Sequence, residues 1–199
     1  MSIHILVLND ATKEVWAIAD KRTMSAISKP NGDLFDWKHI NDDAEKLHQI
    51  TDDVYCATGG ITRIGERILK ELSKVKHLKP SELIDYTRKI DRTISPPFGK
   101  HPMDCISLFG MYDDGTLFEW LAERDGSEYM RRPDPGKVYM SALGAAEGVQ
   151  EKLGQYIMSI HNVTSTRQML VKAIEYASMI DPDKSVSPKY DLIHKKFKS

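Results

Sequence analysis

Residues 1–22 read MSIHILVLNDATKEVWAIADKR, and the reading of this stretch decides the fold. Positions 3 to 8 and 14 to 19 are short apolar runs rich in Val, Ile and Trp, with Asn9-Asp10-Ala11-Thr12-Lys13 as a turn-prone polar loop between them. They are expected to pair as antiparallel strands. The second run ends abruptly at Asp20-Lys21-Arg22, and the chain opens with a serine, Ser2, directly behind the initiator methionine.

Working outward, 28 Lys and Arg nearly cancel 29 Asp and Glu among 199 residues, so no global field draws the chain to nucleic acid or anionic membrane. No apolar run approaches the ~18 residues of a membrane span. The two cysteines, Cys56 and Cys105, lie in apolar stretches without zinc-type spacing, which suits a reducing cytoplasm. The seven histidines share no metal-binding spacing, and each, His4 included, is expected on the surface or as a satisfied core residue. No metal or cofactor is expected. The composition fits a single domain over residues 1–199.

Residues 28 to 45, which carry Pro30-Asn31-Gly32, read as an irregular excursion. Strands are expected at 46–50 and 53–58, and Gly59-Gly60 then opens a helix whose stripe is Ile61, Ile64, Ile68, Leu72 and Val75. Lys79-Pro80-Ser81-Glu82 starts a second helix. Tyr112-Asp113-Asp114-Gly115 joins strands at 105–111 and 116–122, and a further strand is expected near 137–141. Helices from about 144 to 160 and 165 to 180 follow, the second with Ser165 and Gln168 at capping-box spacing. A strand near 189–195 completes the order, and the basic tail Lys195-Lys196-Phe197-Lys198-Ser199 reads as free to fray. Strands segregated from paired helices indicate a layered α+β domain.

These residues resemble a known family. AIADKRTM at 17–24 is similar to the Asp-x-Arg-x-Thr region of proteasome β subunits and their bacterial relative, the HslV peptidase, with Thr23 one place early. EKLHQITDDVYCATGGITRIGERIL at 45–69 resembles the family's lysine, strand pair, glycine pair and first helix. SLFGMYDDGTLFEW and VYMSALGAAEGVQEKL are similar to its later strands and third helix. The resemblance implies the N-terminal nucleophile hydrolase fold, a four-layer αββα sandwich assembled into a homo-oligomeric ring. It further implies hydrolysis of peptide bonds in peptide or unfolded protein substrates, with an ATP-dependent unfoldase as candidate partner.

An N-terminal Ser or Thr can be its own base, because a free α-amine of pKa ~8 sits beside the hydroxyl it deprotonates. By the resemblance Ser2 is the nucleophile, Lys46 the ammonium that favours its anion, Asp20 the carboxylate that fixes Lys46, and Gly59 and Gly60 the oxyanion donors. The plain alternatives are an ordinary second residue, a solvent-facing lysine, a strand-end turn and a tight strand-to-helix turn. Arg22 reads as a structural partner of a carboxylate or carbonyl. Two departures stand out: Ser141-Ala142-Leu143-Gly144 lacks the family's Gly-Ser-Gly serine, and in Asp181-Pro182-Asp183-Lys184-Ser185 Asp181 keeps its place while Ser185 is out of step. Two alternatives therefore remain, a catalytically inactive subunit with a structural or interaction role and a small-molecule amidase of the same fold.

Overall fold

The computed structural model describes residues 3–28, 35–59, 62–94, 105–123, 127–144, 148–182 and 184–198. In chain order the elements are β1 (His4–Asn9), β2 (Glu14–Asp20), β3 (Thr23–Ser28), β4 (Phe35–Asn41), β5 (Leu47–Gln49) and β6 (Val54–Gly59). Then come helices α1 (Thr62–Leu72) and α2 (Pro80–Ile94), and strands β7 (Cys105–Met111), β8 (Leu117–Glu123), β9 (Glu128–Arg131) and β10 (Val138–Leu143). Helices α3 (Val149–Ile160) and α4 (Thr166–Ile180) and strand β11 (Tyr190–Lys196) complete it. No helix among the described residues is long and apolar enough to cross a membrane.

The opening hairpin forms as its alternation dictates. β1 and β2 pair antiparallel with Ile5 opposite Ile18 and Leu6 opposite Ala17. Because neighbouring side chains point to opposite faces, one pairing serves two cores. Ile3, Ile5, Val7 and Ile18 pack with Leu153, Ile157, Leu170 and Ile174 of α3 and α4. Leu6, Leu8, Val15 and Ala17 pack with Leu47, Tyr55, Phe109 and Leu117. β1 and β2 are the centre of a sheet ordered β10-β1-β2-β11, while β5-β6-β7-β8-β9 form a second sheet. Its other face, with Val54, Cys56, Leu108, Phe118 and Trp120, buries Ile68 and Leu72 of α1 and Leu83 and Ile84 of α2. All strand pairings among the described residues are antiparallel. The molecule is a mixed fold of antiparallel sheets and four described helices.

Local chemistry sets the joints. Ser165 Oγ accepts the Gln168 N–H at 3.4 Å and the Gln168 side chain accepts the Ser165 N–H at 3.3 Å, the capping box that starts α4. Gly110 has φ +148°, and a Cβ there would lie 1.9 Å from the Asp53 carbonyl oxygen, so only glycine lets β7 pass the turn before β6.

Two expectations are corrected, and one strand was not foreseen. Within the stretch 28–45 expected to be irregular, residues 35–41 form strand β4, which pairs with β3 in a two-stranded sheet with Ser25 opposite Lys38. The alternation of Phe35-Asp36-Trp37-Lys38 is a strand signal that the nearby turn residues outweighed; Pro30-Asn31-Gly32 lies outside the described residues. The short, exposed edge strand β9 carries no core-facing alternation and escaped the reading. The basic tail does not fray as expected at 195–197: Lys195 and Lys196 pair with Val15 and Glu14, and Phe197 is buried between the sheets with its N–H on the Lys13 carbonyl at 2.9 Å.

Candidate active site

Asp20, the last residue of β2, is fully buried, and each carboxylate oxygen has two donors. Oδ1 accepts the Ile3 N–H at 2.7 Å and the Lys46 ammonium at 3.0 Å. Oδ2 accepts the backbone N–H groups of Arg22 at 2.9 Å and Ser187 at 3.4 Å. The antiparallel register makes this arrangement: the Asp20 N–H donates to the Ile3 carbonyl at 3.1 Å, so the carboxylate curls back onto the amide where β1 begins. Buried charge is tolerated only when it is paired and hydrogen-bonded, and here it is both.

Lys46 precedes β5, and its side chain is 9% exposed. Its ammonium also donates to the Arg22 carbonyl at 2.8 Å. Burial pushes the Lys46 pKa below its ordinary value, against the opposing pull of Asp20. The backbone holds it from two sides. Its N–H donates to Asp191 Oδ2 of β11 at 3.3 Å, and its carbonyl accepts the Thr58 N–H at 3.4 Å, one residue before Gly59. Asp191 also takes the Lys21 ammonium at 3.0 Å. Gly59 itself ends β6 opposite Cys105. Ser2 and Gly60 lie outside the described residues.

Arg22 is held by a carboxylate and a carbonyl: it makes a two-pronged contact with Asp42, at 2.7 and 3.0 Å, and donates to the Lys184 carbonyl at 2.6 Å. The hydrogen bond from Arg22 and its charge hold the Asp42 carboxyl well below the usual range, at about 2.

Asp181 caps the end of α4, nearly fully buried. Its Oδ2 accepts the Ser185 N–H at 2.6 Å, the Ser185 hydroxyl at 2.7 Å and the Val186 N–H at 2.9 Å. Lys184, directly before Ser185, takes a left-handed conformation, φ +51°. Two residues on, Ser187 donates to Asp20, so this loop joins the two carboxylates. Ser141 goes elsewhere. Its hydroxyl donates to the fully buried Glu119 at 3.0 Å, beside the Tyr139 hydroxyl at 2.9 Å and that of Ser107 at 3.3 Å.

His4 corrects an expectation. It is buried, not at the surface, and its Nε2 has no hydrogen-bond partner among the described residues. Burial first, then the Lys46 charge, lowers its pKa to about 4. Sequence reasoning also missed Asp191 and Glu119. Both sit at ordinary alternating strand positions, and only the pairing of distant strands reveals their partners. No group of three or more metal-ligating side chains occurs among the described residues.

The fold is the proteasome-like one. Over 97% of this chain and 99% of the other, it is similar to the crystal structure of eukaryotic HslV from Trypanosoma brucei, with a TM-score of 0.58 at 12% identity. It is similar to Anbu (ancestral beta-subunit) from Yersinia bercovieri over 98% of this chain and 81% of the other, with a TM-score of 0.66 at 12% identity. No protein-family model matches the sequence, and no curated protein matches it.

Proposed function

We propose that the chain is a proteasome-like N-terminal nucleophile peptidase with the αββα layer order, working in a self-assembled ring on peptide or unfolded protein substrates. The observation that carries this is the buried Lys46–Asp20 pair, whose carboxylate oxygen also holds the Ile3 amide at 2.7 Å. Ile3 directly follows Ser2 in the sequence, and this adjacency is what supports Ser2 as the nucleophile of that pair.

With Met1 removed, the Ser2 amine takes the proton of its own hydroxyl as Oγ attacks the scissile carbonyl. The Lys46 ammonium stabilises the alkoxide, and Asp20 keeps Lys46 charged and in place. Amides at Gly59 and Gly60 receive the oxyanion. The Ser2 ammonium then protonates the departing amine, and water hydrolyses the resulting ester. Asp181 and Ser185 support the wall that delivers Ser187 to Asp20. An ATP-dependent unfoldase is the partner that such a ring would use for folded substrates.

One observation favours a second reading, an inactive subunit of the same fold: the Ser141 hydroxyl is committed to Glu119. Intact mass combined with turnover of small fluorogenic peptides separates the two. The peptidase reading predicts loss of Met1 and cleavage abolished by Ser2→Ala. Retention of Met1, or cleavage unchanged in that variant, excludes it.

A further inference from the structure

Arg22 touches both members of the Lys46–Asp20 pair through its backbone. Its carbonyl accepts the Lys46 ammonium at 2.8 Å, and its N–H donates to Asp20 Oδ2 at 2.9 Å. The next residue, Thr23, opens β3, and its partner on β4 is Asn41, the residue before Asp42. Arg22 and Asp42 therefore bracket the β3–β4 ribbon at its neck, and their side chains close it with the two-pronged contact at 2.7 and 3.0 Å. Just behind this contact the Ala44 N–H donates to the Lys21 carbonyl at 3.1 Å. β3 and β4 pair with no other strand among the described residues. A ribbon of two strands holds its direction weakly in water, so what fastens the neck decides where the Arg22 backbone lies.

We propose that Asp42 is a positioning residue of the Lys46 centre: by clamping the Arg22 guanidinium it fixes the backbone groups of Arg22 that hold Lys46 and Asp20. An ion pair whose partners are both reached by solvent, as these are, adds little to stability. A planar guanidinium that meets both oxygens of one carboxylate does something else, which is to set direction. The same guanidinium donates to the Lys184 carbonyl at 2.6 Å, in the loop whose Ser187 N–H reaches Asp20. One side chain thus ties the neck of the ribbon and this loop to a single buried carboxylate, and a turn of the ribbon would be carried to the Lys46 ammonium through Arg22. This deepens the peptidase reading of the same site and rests on it only in taking Lys46 and Asp20 as the centre that must be held.

The test follows hydrogen exchange at the Arg22 N–H by NMR in the parent protein, Asp42→Ala, Asp42→Glu and Arg22→Lys. The amides of Leu6 and Ile18, fully buried in the β1–β2 pairing, report global stability. Glutamate retains the carboxylate, and lysine retains the charge without the two-pronged contact. Exchange at Arg22 should be about tenfold faster in Asp42→Ala and Arg22→Lys, with the reference amides within about threefold of the parent, and Asp42→Glu should restore it to within about threefold. Unchanged exchange at Arg22 in Asp42→Ala, or a rise matched by the reference amides, would overturn the proposal. Should Asp42→Ala not fold, Arg22→Lys decides by the same two criteria. Cleavage of a fluorogenic peptide gives the functional reading: kcat should fall about tenfold in Asp42→Ala with KM within about twofold, and recover in Asp42→Glu. A kcat equal to the parent's despite faster exchange would also overturn it. A parent that cleaves nothing would remove the proposed function, and the exchange result would then decide alone.

Discussion

Asp20 and Glu119 are both carboxylates buried completely, yet they are satisfied in different ways. Asp20 meets an ammonium and three backbone N–H groups from separate segments, at Ile3, Arg22 and Ser187. Glu119, in the middle of β8, meets the hydroxyls of Ser107, Ser141 and Tyr139, with the Arg131 guanidinium 3.8 Å away. Ser107 and Glu119 belong to one sheet and Ser141 and Tyr139 to the other, so this cluster fastens sheet to sheet. The Asp20 cluster sits at strand ends, where the backbone amides of Ile3, Arg22 and Ser187 meet the carboxylate beside the start of β1.

The comparison breaks most visibly at Lys46. On the proposed mechanism, Lys46→Met should lower cleavage of a fluorogenic peptide by on the order of 10³-fold, because it removes the charge assigned to the proposed nucleophile. Glu119→Gln should leave kcat within about threefold of the parent protein. Equal losses in the two would erase the distinction drawn here. Stability should separate them in the opposite sense: Glu119→Leu strips two buried hydroxyls and the part-buried Tyr139 hydroxyl of their acceptor and should cost about 3 kcal/mol in urea unfolding, against about 1 kcal/mol for Glu119→Gln.

His4 adds a pH signature confined to the Lys46 side. Its pKa is about 4 in the fold and ordinarily 6.5. Below pH 6.5 the unfolded chain binds a proton that the folded chain refuses until about pH 4, so stability should fall by about 3 kcal/mol across that window. His4→Gln should flatten this slope. Asp42, held at about 2, contributes stability that is lost only as pH falls below about 4, and the two windows therefore separate. The smallest effect is expected far from both clusters, where Ser165→Ala removes the α4 cap and should cost about 1 kcal/mol with no change in cleavage.

The same contrast explains what could be read in advance. The β1–β2 hairpin, α1, α2 and the Ser165 cap were legible because each rests on local periodicity or a short spacing. Asp20 and Lys46 were legible as a pair only through resemblance, since 26 residues separate them and nothing local ties one to the other. The ties of Asp191 and Glu119 were not legible at all. Asp191 meets Lys46 across 145 positions, and Glu119 meets Ser141 across 22, contacts set by sheet order rather than by neighbouring residues. Phe197 was misread because the lysines around it set the composition of the tail, while a single aromatic side chain decides its burial.

The central claim is that Lys46 and Asp20 activate an N-terminal Ser2. A peptide bearing an α′,β′-epoxyketone forms a stable ring only with a residue that offers both a free amine and a hydroxyl, so it reads that claim directly. Intact mass and peptide mapping should find one adduct per chain, on Ser2, in the parent protein and none in Lys46→Met. An unmodified Ser2 in the parent, or equal modification of both proteins, would contradict it.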